Sequence, residues 1–121
     1  MRLRSALTAH SCTGYEISFK ATKTSGAYLI IVRWNGKLGD FTYLNQSNGA
    51  QYGVTSGDVV KATIVGDKIT AYLNGVEMGS ATDSTYATGS PGMGFNLETG
   101  DPACVGTNGD YGYTSYTATT E

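Results

Sequence analysis

Hydrophobic and polar residues alternate with a period of two along most of the chain, and no stretch sustains a helical period. Residues 3–9 alternate weakly. Residues 15–22 alternate cleanly, with Tyr15, Ile17, Phe19 and Ala21 on one face. Residues 27–34 are nearly continuously apolar, which predicts a strand covered on both faces in the middle of a sheet. Asn35-Gly36 predicts a turn, residues 41–44 the next strand, and the polar, glycine-rich stretch 46–57 a loop with one short strand at 51–54. The strongest local signal is at 59–78. Strands at 59–65, 68–73 and 76–78 are separated by Gly66-Asp67 and Asn74-Gly75, two-residue turns whose positive φ angles Gly and Asn tolerate. Residues 82–91 read as a polar crossing segment, 93–98 as a strand, 100–109 as a loop and 111–119 as the last strand. The expectation is roughly nine strands, no helix, and one all-β, antiparallel β-sandwich spanning residues 1–121.

Composition narrows this picture. Glycine fills 17 of 121 positions, roughly twice ordinary usage, and charged residues make up 15% against about 25% in typical domains. That is too little charge for a coiled coil or helical bundle, and 40% hydrophobic content with a net charge of −2 argues against disorder. Eight scattered basic residues and a pI near 5.2 argue against nucleic acid as a partner. No apolar run approaches the roughly 18 residues of a membrane-spanning helix, so no membrane partner is expected. The N-terminal stretch has basic residues but no apolar segment after them, so it is not a signal peptide.

Cys12 and Cys104 are open to two readings. One is a disulfide, worth about 4–5 kcal/mol across so long a loop. The other is two unrelated thiols. His10 and Cys12 lack the second ligand cluster that zinc needs, and lack the third, orienting group of a thiol nucleophile. A single histidine and no Gly-x-Ser-x-Gly segment argue against a serine hydrolase.

The segments carrying the hairpins (59–75), then 81–86, then Gly89-Ser90-Pro91-Gly92-Met93-Gly94-Phe95, together with the strand 30–36, resemble the concanavalin-like, laminin-G-like jelly-roll superfamily. The likeness extends from about Gly14 onward. It implies a jelly-roll sandwich of extracellular or periplasmic origin that either binds carbohydrate or cleaves it as a glycoside hydrolase. It also implies that the N-terminal strands usual in such sandwiches are missing, and hence that a homo-oligomer covers an exposed sheet edge. No cofactor is required on this reading. Structural calcium, common in such sandwiches, would fall to Asp101, Asn108 and Asp110.

The alternating Glu-Asp-Glu motif of the β-glucanases that share the fold is absent. Most acids flank turns; Asp83 is among them. Glu16 and Glu98 lie within strand patterns on the face opposite the apolar set, and so are the acid/base candidates if the protein is an enzyme. Binding has the broader support. Sugars are held by aromatic faces and a few orienting polar groups, and Tyr28, Arg33, Trp34, Tyr43, Asn96, Tyr111 and Tyr113 are the candidate substrate-binding residues. The favoured reading is a module recognising a neutral polysaccharide or oligosaccharide.

Overall fold

The computed structural model describes residues 1–96 and 108–120. These form eight strands in two antiparallel sheets. The strands are β1 (Arg2–Leu7), β2 (Ser11–Phe19), β3 (Tyr28–Lys37), β4 (Phe41–Asn48), β5 (Val60–Val65), β6 (Lys68–Leu73), β7 (Val76–Thr82) and β8 (Ser90–Gly92). The larger sheet has the order β4-β3-β2-β1-β8 and the smaller one β5-β6-β7. The smaller sheet packs on the inner face of the larger as a β-sandwich. Tyr15, Ile17, Leu29, Ile31, Ile69 and Ala71 are completely buried between them. The period-two pattern of β2 explains two of these six directly, since Tyr15 and Ile17 point inward while Glu16 and Ser18 point outward.

β-Bulges in β1, β4 and β7 adjust the fit; the one in β1 falls between Arg2 and Ala6. In β4, Ile31 opposes Asn45 while Val32 opposes Tyr43, so Leu44 is extra. In β7, Ala71 opposes Gly79 while Tyr72 opposes Glu77, so Met78 is extra. Both extra residues pack against the core, as expected of a device that re-aims side chains. The sheets approach closely beside the β7 bulge. There a Cβ on Gly79 would stand 3.0 Å from Leu29, and the Asn45 side chain donates a 2.9 Å hydrogen bond across to the Ser80 carbonyl.

The meander 60–82 follows the predicted hairpins, with Gly66, Asn74 and Gly75 all at positive φ. Elsewhere the strands differ from expectation. Asn35-Gly36 is not a turn: β3 runs on to Lys37 because β2 continues alongside it to Ser11, and the chain reverses at Gly39 (φ 88°). β4 extends to Asn48 through the stretch read as a loop, and Ala50–Tyr52 is a 3-10 turn, not a strand. Within the crossing segment, residues 90–92 pair with β1. Residues 93–96 and 111–119 are not strands; their aromatic rings stack on one another, Phe95 on Tyr113 at 4.5 Å, and no backbone ladder holds them. The remainder of the predicted strand 93–98, with Glu98, lies outside the described residues.

Candidate functional site

The outward face of the larger sheet should be polar if it only met water. It is aromatic instead. Tyr28, Ile30, Val32 and Trp34 alternate outward from β3, and the β4 register places Phe41 opposite Trp34 and Tyr43 opposite Val32. The β4 bulge falls just after Tyr43, so Phe41 and Tyr43 stay outward while Leu44 enters the core. The rings form a chain, Trp34 to Phe41 at 5.2 Å and Phe41 to Tyr43 at 5.4 Å, the second pair edge-to-face. Phe41 is 39% and Tyr43 53% exposed. These rings floor a groove of about 400 Å³. After β8 the chain comes off beside β1, and Phe95, Asn96 and Tyr111 line the same groove although they belong to no strand. Phe95 is fixed by Tyr111 at 5.6 Å and by the stacked Tyr113 ring, whose hydroxyl donates to the Gly94 carbonyl at 2.9 Å.

One carboxylate in the groove is held by three donors. Glu16 pairs with Arg2 at 2.8 Å, and accepts hydrogen bonds from Trp34 Nε1 at 2.9 Å and Ser18 Oγ at 2.8 Å. The Arg2 guanidinium also lies over the Trp34 ring at 5.3 Å and donates to Cys12 Sγ at 2.8 Å. The network therefore pins the indole and leaves Tyr43, at the far end of the aromatic chain, as the most exposed ring of the floor. Burial pushes the Cys12 thiol up and outweighs the pull of Arg2, so the thiol stays neutral. His10 is exposed in the β1–β2 turn.

Five of the seven binding candidates, Tyr28, Trp34, Tyr43, Asn96 and Tyr111, thus line one groove with Glu16. Tyr113 buttresses it from behind Phe95. Arg33 faces the other way: opposite Tyr15 in the register, it ion-pairs with Asp83 and donates to the Thr85 hydroxyl at 3.0 Å. Asp83 also accepts from the buried Tyr15 hydroxyl at 2.7 Å, and Tyr86, just beyond, donates to the Trp34 carbonyl at 2.7 Å. This cluster clasps the 83–89 crossing to the sheet and is structural. Glu98, the proposed partner of Glu16, lies outside the described residues, as does Cys104. Of the calcium candidates, Asp101 is also outside them, while Asn108 and Asp110 belong to a 3-10 turn, Asn108–Asp110. Among the described residues no group of three or more His, Cys, Asp or Glu side chains could hold a metal.

Sequence reasoning missed Phe41 and Phe95 as groove residues. Phe41 was legible as a strand residue two positions from Tyr43, but its face depends on the bulge. Phe95 alternates with Met93 as a core residue would, and only the absence of a ladder there exposes it. Set against known families, curated proteins and solved structures, the chain matches none.

Proposed function

We propose that this protein is a carbohydrate-binding β-sandwich module that holds a neutral polysaccharide or oligosaccharide in the groove of the larger sheet, outside the cell. The observation that carries the reading is the run of exposed rings Phe41 and Tyr43 beside Trp34 on a sheet face that a purely structural domain would keep polar. Contiguous exposed apolar surface marks a binding site. Sugars present C–H faces that stack on such rings, and hydroxyls that need orienting polar groups. Ser18, Gln46 and Asn96 line the groove and supply them. Glu16 meets a ligand as a carboxylate already balanced by Arg2, which suits an uncharged partner. The concanavalin-like resemblance of the hairpin and Gly-x-Pro-Gly segments supports the same class of ligand.

The test is a pull-down on a panel of glucans, xylans and mannans with reducing-end release assayed in the same samples. Retention without release, lost in Tyr43→Ala, is expected. Release of reducing ends would replace binding with hydrolysis, and no retention on any polysaccharide would overturn the proposal.

A further inference from the structure

The groove has a floor and a side of different origin, and this bears on the physical form of the ligand. The floor is sheet: Trp34, Phe41 and Tyr43 lie on adjacent strands at ring separations of 5.2 and 5.4 Å, so they share one surface. The side is not sheet. Phe95 and Tyr111 come from segments outside every strand, yet line the same groove of about 400 Å³. Phe95 is 48% exposed, so one flank of its ring is free to meet a ligand while Tyr113 covers another at 4.5 Å. The Tyr113 hydroxyl ties this stack to the backbone at Gly94.

From this arrangement we propose, resting on the glycan reading above, that the site takes a single polysaccharide chain and rejects the face of a crystalline one. A crystalline polysaccharide presents a flat, rigid plane of many chains packed side by side. The floor is not a flat platform: Phe41 is tilted 51° to Trp34, and Tyr43 stands 83° to Phe41. A rigid plane cannot stack on these rings together, and Phe95 and Tyr111 line the same groove from segments outside the sheet. A single chain, able to turn from one sugar to the next, can follow them. One sugar face stacks on the floor, and a ring edge meets Phe95. The polar groups are divided in the same way: Gln46 belongs to the floor and Asn96 to the side. A lone chain has hydroxyls on both of its edges to satisfy them. A chain within a crystal has already spent those hydroxyls on its neighbours.

The experiment compares one backbone chemistry in two physical forms: hydroxyethylcellulose against microcrystalline cellulose for β-1,4-glucan, and laminarin against insoluble curdlan for β-1,3-glucan. Soluble chains are followed by Trp34 fluorescence and affinity electrophoresis, and solids by depletion. The expected result is binding to a soluble form and retention on its solid counterpart weaker by about tenfold or more. The double variant Phe95→Ala/Tyr111→Ala removes the side and leaves the sheet intact, which circular dichroism checks. It should lose affinity for the soluble chain and narrow the gap between the two forms. Tyr43→Ala should weaken both. Wild-type protein that adsorbs to a solid as tightly as to its soluble counterpart would overturn this proposal while leaving the glycan reading standing. Double-variant protein with an unchanged preference would also overturn it. Binding to neither form of either glucan, nor to any polysaccharide of the wider panel, would remove both.

Discussion

Asp83 offers the sharpest test of how the sandwich is held together. Its side chain is only 9% exposed. Burial pushes the carboxyl up, but hydrogen bonds from the Tyr15 hydroxyl, from the Thr85 hydroxyl and backbone N–H, and from Arg33 outweigh it, so that Asp83 titrates at about 2 instead of 3.8. The folded state therefore binds this proton less tightly than the unfolded chain. The stabilisation is complete above the unfolded value and is lost as pH falls from about 4 through about 2. At about 1.4 kcal/mol per pH unit, the ionised carboxylate is worth about 2 kcal/mol at neutral pH. Asp83→Asn keeps the shape and removes the charge. The expected cost is about 2 kcal/mol at pH 7, or roughly 8 °C in Tm for a domain of this size. Urea denaturation of wild type and variant from pH 7 to pH 2 measures it. Taking the difference between the two proteins cancels the other carboxylates, including Asp58, which also titrates at about 2. The gap should stay constant down to about pH 5 and close below pH 3. A variant as stable as wild type at pH 7, or a gap undiminished at pH 2, would refute the account of the clasp.

Other perturbations separate packing from binding. Gly14 sits at φ 107° against the β1 bulge, where an added Cβ would lie 2.5 Å from the Arg4 carbonyl oxygen and 2.6 Å from Ser5 Cα; Gly14→Ala should cost about 3 kcal/mol or more, read as loss of soluble protein or a collapsed Tm. Gly39→Ala, at φ 88° with nothing within 4 Å, carries only the backbone strain and should cost about 1 kcal/mol in the same assay. Tyr43→Ala removes a half-exposed ring outside the core, so Tm should hold while glycan affinity falls about tenfold by titration. Glu16→Gln takes the charge from the Arg2 pair and weakens the hold on the indole; since Trp34 is the single tryptophan, its emission should shift and its quenching by iodide or acrylamide should rise.

The sequence by itself determined the local grammar of this protein. Period-two alternation placed Tyr15 and Ile17 inward and Glu16 outward, because neighbouring strand residues must face opposite sides of a sheet. Gly66, Asn74 and Gly75 marked the hairpins, because few other residues reach positive φ without strain. The aromatic side chains of the groove were also visible as candidates: Tyr28, Trp34, Tyr43 and Tyr111 all fall in predicted strands.

Only the tertiary structure decided which of these residues meet. Arg33 and Trp34 are neighbours in sequence, yet one joins the clasp and the other the groove, since adjacent positions in β3 face opposite sides. Whether Phe41 belongs with Trp34 depends on the register of β4 and on the bulge at Leu44, which is set by how the sheets fit. The serine, proline and glycine of β8 have little strand preference of their own; they form a strand because β1 offers an unpaired edge. Residues 93–96 and 111–119 carry a strand-like pattern but have no ladder partner among the described residues, and the same aromatic side chains that suggested strands wall the groove instead. Alternation is a property of one segment, whereas pairing requires two, and it is pairing that brings the site together.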